Sequence, residues 1–284
     1  MAQHWLGAHE SIAGGLDKAF DRAQSVGCDS LQIFVKPNRN WALKELTDED
    51  TALFQAKQKE TGIEPVVAHA SYLLNLATPD QPLWTRSRDM LITELTRCEA
   101  LGIPFLVLHP GSHVGSGEEK GMAKVAQALG EVHSATAGFA VQVLLETTAG
   151  QGTGLGRSFE QLAWLMEHAS QGDRLGACLD TCHVLAAGYE LRTQDGYGET
   201  IDSFDSLIGL ERLRALHLND CKGELGSHRD RHAHIGQGEI GLDGFRFLLH
   251  DERLQGRPGL LETPKGKDLA EDRENLATLR SLVD

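Results

Sequence analysis

The sequence predicts a (β/α)8 TIM barrel in the α/β class, and three observations predict it. Short apolar runs alternate with helical stretches from end to end, the pattern of a parallel sheet covered by helices. Eight such runs fall within 284 residues, the size of one barrel. Six of the runs place a core-type residue two positions before a His, Asp or Glu: Val67/His69, Val107/His109, Leu144/Glu146, Cys178/Asp180, Ala215/His217 and Leu260/Glu262. Alternate residues of a strand share a face. If the first of each pair fills the barrel, the second faces the axis at its C-terminal mouth, where barrel enzymes place their chemistry.

Taken in order, the expected strands are HWLGAH (4–9), SLQIFVK (30–36), EPVVAHA (64–70), PFLVLHP (104–110), VQVLLET (141–147), RLGACLD (174–180), LRALHLN (213–219) and PGLLET (258–263). Each is short, rich in Val, Leu or Ile, and followed by turn residues. GLDKAFDRAQSVG (15–27) and TRSRDMLITELTRCEALG (85–102) read as helices, with Gly27, Gly62 and Gly102 at C′ positions. Asp48 and Ser158 read as N-caps. A doubly wound sheet uses fewer strands and gives no reason for polar groups on most strand ends. No linker, low-complexity tract or repeat divides the chain, so one domain over 1–284 is expected.

Composition sets further bounds. Hydrophobic content of 40% and charged content of 24% are globular values. No run approaches the length of a transmembrane helix, and the start has no basic segment leading into an apolar one, so neither membrane span nor signal peptide is expected. Five cysteines without framework spacing fit a reducing cytoplasm. The formal charge of -14 argues against nucleic acid, whose binders are usually basic. Three bound divalent cations would bring it to about -8, and the local field decides where a polyanion docks.

Nine side chains of metal-ligand type are spread along the chain: His69, His109, Glu146, Asp180, His183, His217, Asp230, His232 and Glu262. Imidazole and carboxylate together suit zinc, with manganese an alternative at one or more positions. Converging carboxylates would repel one another without cations. Each motif also has a bland reading. In LDTCHVLAAGY (179–189), Asp180 and His183 leave the strand end in different directions; the alternative is a capping Asp and a surface His. In HLNDCKGELGSHRDRHAHIGQGEIG (217–241), Asp230 and His232 lie on one side of an extended segment and could chelate one ion; the alternative is a solvated loop. Gly236, Gly238 and Gly241 suggest tight turns or close backbone approach. His4, His113, His133, His168, His228, His234 and His250 are not expected to be ligands, with His133, His168 and His250 on solvent-facing helix surfaces. Cys178 and Cys182 read as small core residues.

The combination AHASYLLNLA, LHPGSH, ETTAGQGTGLG, LDTCHVLAAGY, the 217–241 loop and LLET, in that order, resembles the endonuclease IV family of zinc-dependent apurinic/apyrimidinic endonucleases. The resemblance runs from GAHESIAGG (7–15) to Glu262. It implies a monomeric barrel with three zinc ions that cleaves duplex DNA 5′ to abasic sites, leaving a 3′-hydroxyl and a 5′-deoxyribose phosphate, and trims blocked 3′ ends. It assigns His69, His109 and Glu146 to one ion. Glu146 bridges to a second ion shared with Asp180, His217 and Glu262, and His183, Asp230 and His232 take a third. Thr147 and Ala70 stand where that family often has Asn and Asp, beside ligands rather than among them.

On this reading Glu146 and Glu262 are the catalytic carboxylates, because bound zinc brings water to a pKa of about 7 and no nucleophilic Ser or Cys is needed. His9 and Lys36, at the ends of the first two strands, are expected to touch phosphate. Arg39 is expected to offer a cation to DNA, and Tyr72 and Leu73 to wedge into the base stack of a bent duplex. A location in the cytoplasm, on the nucleoid of a bacterium, follows from the resemblance. The rival reading is a sugar isomerase or epimerase of the xylose-isomerase-like barrels. Such enzymes share a core resembling Glu146, Asp180, His217 and Glu262 but do not require the remaining five ligands.

Overall fold

A computed structural model describes residues 5–283; His4, which opens the first expected strand, lies outside them. Eight parallel strands close into a barrel: β1 (Trp5–His9), β2 (Ser30–Phe34), β3 (Val66–His69), β4 (Phe105–Leu108), β5 (Gln142–Glu146), β6 (Leu175–Asp180), β7 (Leu213–His217) and, after a small antiparallel ribbon of β8 (Asp220–Cys221) and β9 (His232–Ala233), β10 (Pro258–Leu261). Closure is made by β1 against β10, with Trp5 opposite Pro258 and Ala8 opposite Leu261. The eight strands are those expected, and β2 to β7 and β10 are each shorter than expected by one to three residues.

The helices are α1 (Lys18–Val26), α2 (Asp48–Thr61), α3 (Gln81–Leu101), α4 (Glu118–Ala135), α5 (Phe159–His168), α6 (Thr181–Ala187), α7 (Gln194–Leu207), α8 (Gly241–His250) and α9 (Ala270–Ser281). They wrap the barrel, α3 packing on α4, α4 on α5, α5 on α7 and α7 on α8. Gly27, Gly62 and Gly102 end α1, α2 and α3 in the left-handed conformation expected of C′ glycines. Ser158 caps α5 by accepting from the Gln161 amide. Asp48, however, is the first residue of α2 and not its cap. Thr47 caps it, because its hydroxyl and Asp50 complete a reciprocal capping box. α3 starts four residues before the expected position, where Asp80 accepts from Leu83 N and Pro82 fits the first turn.

Two apolar layers hold the fold. One lies between strands and helices and contains Leu31, Ile33, Leu106, Phe20, Phe54 and Trp84. The other is the barrel interior: Val67, Val107, Leu144, Cys178, Ala215 and Leu260, with Phe105 against them. These six are the residues that strand parity predicts to point inward. Burying a Leu or Val side chain contributes about 1.5–3 kcal/mol, so this plug fixes the inward face of each strand. Two residues later, that same face must open at the mouth. Burial pushes the Cys178 thiol up to about 11, so it fills space here as a neutral side chain. His133 departs from expectation. It is buried against the segment that follows α5, where its Nδ1–H donates to the Ser170 carbonyl at 2.9 Å.

Candidate metal centre

At the C-terminal mouth the strand ends converge on the Glu146 carboxylate. Its Oε2 lies 2.9 Å from His109 Nε2 and 3.1 Å from His69 Nε2. Its Oε1 lies 2.9 Å from His217 Nδ1 and 3.3 Å from His183 Nδ1. Each oxygen thus faces a different pair of imidazoles. Glu262 Oε2 is 3.4 Å and Asp180 Oδ2 3.8 Å from His217 Nδ1. On the other side, Asp230 Oδ1 sits 3.2 Å from His183 Nε2 and 3.3 Å from His232 Nε2. Asp180 makes the capping contact of the bland reading with one oxygen only. Its Oδ1 caps α6 by accepting from His183 N at 2.8 Å, and its Oδ2 turns to the centre.

Three sets of side chains have ligand atoms within 4.8 Å of one another: His69, His109 and Glu146; Glu146, Asp180, His217 and Glu262; and His183, Asp230 and His232. The family resemblance implies the same division of the nine residues. A further set, Asp180, Cys182 and His232, overlaps these and adds the Cys182 thiol.

Hydrogen bonding shows that these residues fit cations. A carbonyl oxygen only accepts, so a ring nitrogen bonded to one carries the proton. His69 Nδ1 bonds Ala70 O at 2.7 Å, His183 Nδ1 bonds Thr147 O at 2.9 Å, and His232 Nδ1 bonds Glu262 O at 3.1 Å. In each neutral ring the other nitrogen then turns a bare lone pair toward a carboxylate oxygen. That contact is repulsive unless a cation, a proton or a metal ion, lies between. His232 Nε2 is buried with no hydrogen-bond partner among the described residues.

The protonation pattern follows from the same contacts. Burial alone would raise Glu146, but the charges of His109 and His217 and hydrogen bonds from His109 and His183 hold it well below the usual carboxylate range. Glu262 is held low against burial by His217, His9 and His69. Burial opposes protonation of His183, yet Asp180, Asp230 and Glu146 push it well above the ordinary imidazole value. Without ions, His183 carries its proton between those carboxylates.

The residues expected to meet DNA divide. Arg39 and Tyr72 are exposed, Tyr72 by 57%, and Leu73 is half-buried. The Tyr72 ring lies over the centre, 5.1 Å from the His69 ring and 5.9 Å from that of His109. His9 packs on Phe34 at 4.3 Å, with Nδ1 3.1 Å from Glu262 Oε1. Lys36 overturns its expected phosphate role. It is 2% exposed, donates to Pro37 O and Asn40 O, and lies 3.8 Å from the buried Glu94. Glu94 accepts from Ser71 N, and the Ser71 hydroxyl donates to Asn38 O. Lys36 is therefore a strut that joins the Arg39 loop to the Tyr72 loop. Its lysine lies too deep to reach a polyanion. Replacing Lys36 by Met is expected to destabilise the fold by about 3–5 kcal/mol, because Glu94 is left buried and unpaired. Urea unfolding checks this, and an unchanged midpoint would refute the strut.

Other supports escaped the sequence reading. Asn219 Nδ2 donates to Asp180 Oδ2 at 2.6 Å, and its Oδ1 accepts from Glu262 N at 2.8 Å. Asp220 folds the following loop by accepting from Gly238 N and Ile240 N. A Cβ on Gly238 would fall 2.4 Å from Cys221 O, so the loop needs glycine there. Gln32 is buried between Glu262 and His217. The available signal for Gln32 was a lone amide inside an apolar strand; for Asn219 it was a position two residues after His217.

A parallel barrel with a cluster of imidazoles and carboxylates at its mouth defines the class, and the sequence model of xylose isomerase-like TIM barrels matches residues 20–282. The probable endonuclease 4 of Chloroflexus aggregans is 53% identical over 98% of this chain and 97% of its own length. The crystal structure of endonuclease IV from Thermus thermophilus superposes with a TM-score of 0.87 at 36% identity, covering 98% of each chain. A D-tagatose 3-epimerase-like protein shares the fold at 17% identity and a TM-score of 0.76. The chain belongs to the endonuclease IV family.

Proposed function

We propose that this protein is a metal-dependent DNA-repair endonuclease. It hydrolyses the phosphodiester 5′ to abasic sites in duplex DNA, leaving 3′-hydroxyl and 5′-deoxyribose phosphate ends, and trims blocked 3′ termini. The observation that carries this reading is the gathering of nine ligand-type side chains into three sets around Glu146. Five of them, His69, His109, His183, Asp230 and His232, exceed what a sugar isomerase needs. Family membership supports the same reaction. Action as a monomer in the bacterial cytoplasm, on nucleoid DNA, belongs to this reading; among the described residues no helix is long and apolar enough to cross a membrane.

The donor set suits three zinc ions, with manganese an alternative at one or more positions. His69, His109 and Glu146 would hold the first, and Glu146, Asp180, His217 and Glu262 the second. His183, Asp230 and His232 would hold the third. Bound ions would supply positive charge to the phosphodiester oxygens and lower the pKa of water at the site.

The chain's own groups do the rest. Glu262, anchored through its Oε1, keeps Oε2 to orient an attacking water and receive its proton. His9 meets the phosphate from the barrel wall. Tyr72 and Leu73 enter the base stack beside the lesion, and Arg39 contacts the backbone. Extruding a nucleotide that lacks its base costs little stacking energy, which itself selects damage.

A duplex with one abasic site tests the reaction. Incision is expected on its 5′ side with a 3′-hydroxyl product, and intact duplex after prolonged incubation would refute the reading. Substituting Tyr72 and Leu73 together by Ala is expected to weaken abasic-duplex binding at least tenfold while zinc content stays constant. Fluorescence anisotropy and elemental analysis check this pair, and unchanged binding would retire the wedge.

A further inference from the structure

Gln32 lies in the middle of β2, fully buried among groups far away in sequence. Its Nε2 is 2.6 Å from Glu262 Oε1 and 2.9 Å from His9 Nδ1, and its Oε1 is 2.8 Å from His217 Nε2. The orientation of the amide is dictated by its neighbours. An ionised carboxylate only accepts, so the NH2 must face Glu262 and the oxygen must face His217. A flipped amide would set two acceptor oxygens against each other at 2.6 Å.

Two consequences follow from that one orientation. His217 carries its proton on Nε2, which leaves Nδ1 bare toward Glu146, Glu262 and Asp180. Glu262 has Oε1 engaged, which leaves Oε2 for the centre. The amide Nε2 also lies 2.9 Å from His9 Nδ1, which is itself 3.1 Å from Glu262 Oε1, so amide and imidazole close on the same carboxylate oxygen.

We propose that Gln32 is a positioning residue of the metal centre: one amide selects the ligating nitrogen of His217 and the free oxygen of Glu262. This rests on the metal-centre reading above. Partners that orient ligands in this way typically control about 10–100-fold in metal affinity.

The test uses zinc-loaded protein with 15N-labelled histidine. His217 is expected to show a protonated Nε2 and a ligated Nδ1. Gln32→Met is expected to weaken zinc held by the His217 set about 10–100-fold in chelator competition, while the His183, Asp230 and His232 set keeps its ion. Gln32→Glu retains an acceptor for His217 but sets a second carboxylate against Glu262 Oε1. It should therefore keep the His217 signature and still weaken zinc at that set, because the paired carboxylates resist ionising together. Ligation through His217 Nε2 in the unaltered protein would overturn the proposal even if neither variant folds. Equal zinc affinity in Gln32→Met would overturn it as well. Absence of zinc uptake by the unaltered protein would instead overturn the metal-centre reading, and the role of Gln32 with it.

Discussion

Glu146→Gln is expected to lower abasic-site incision by about 10³-fold or more, equivalent to about 4 kcal/mol of barrier. Glu146 supplies both oxygens to the centre, one to His69 and His109 and the other to His183 and His217. An amide replaces one of these oxygens with an NH2 group and removes the charge that two ligand sets share. Each orientation of the amide spoils one set. Zinc content per chain is therefore expected to fall along with turnover, and elemental analysis of the purified variant reads it directly. Glu262→Gln should behave differently. Glu262 belongs to one set only, and its Oε1 is already saturated by Gln32. Turnover should drop far more than DNA affinity, measured by single-turnover kinetics and anisotropy. Equal losses in both would contradict a role for Glu262 in orienting the water.

The contrast between these two carboxylates shows what could be read from the residues alone. Both end apolar strands, and both follow an inward-facing Leu, Leu144 or Leu260, by two positions. Strand period and the requirement for a filled barrel were enough to aim them at one volume, because alternation along a strand is a local property. The same reasoning aimed His69, His109, Asp180 and His217. It failed for Lys36, which sits at a strand end of the right kind but lies 3.8 Å from a carboxylate on α3. That pairing spans 58 positions, and no local period reports it. Gln32 and Asn219 were missed for a related reason. An amide in a strand or loop has no distinctive pattern, and its value comes from partners as far away as Glu262. His133 shows the same limit on a helix: its face follows from α5 packing beside α4, a tertiary fact. Local pattern therefore reveals which side chains converge, while the network holding them in register emerges only from the folded contacts.

Removing the ions should also change how stability depends on pH, with a sign that the contacts fix. In the metal-free protein His183 and His217 are held well above the ordinary imidazole value of 6.5, against burial, by Asp180 and Asp230 for the first and by Glu262 and Glu146 for the second. A folded-state value above the unfolded one gives stability that is complete below 6.5 and lost as pH rises through the folded value. Glu146 and Glu262 are held well below 4.5, so their contribution is complete above that value and lost as pH falls through the folded one. Metal-free protein is therefore expected to be most stable between about pH 4.5 and 6.5 and to weaken on the alkaline side. There the imidazoles lose their protons and leave lone pairs facing carboxylates. Zinc takes the place of those protons and releases them on binding, so its stabilisation grows as pH rises. At a free zinc level about 100 times the dissociation constant, one site adds about 2.7 kcal/mol. For a chain of this size that is roughly 4–5 °C in melting temperature. Thermal unfolding at pH 6 and pH 8.5, with chelator or with zinc, should show a gap that widens with pH. A gap of equal size at both values would mean that protons and metal ions do not compete for these nitrogens, and would contradict a shared set of ligand atoms.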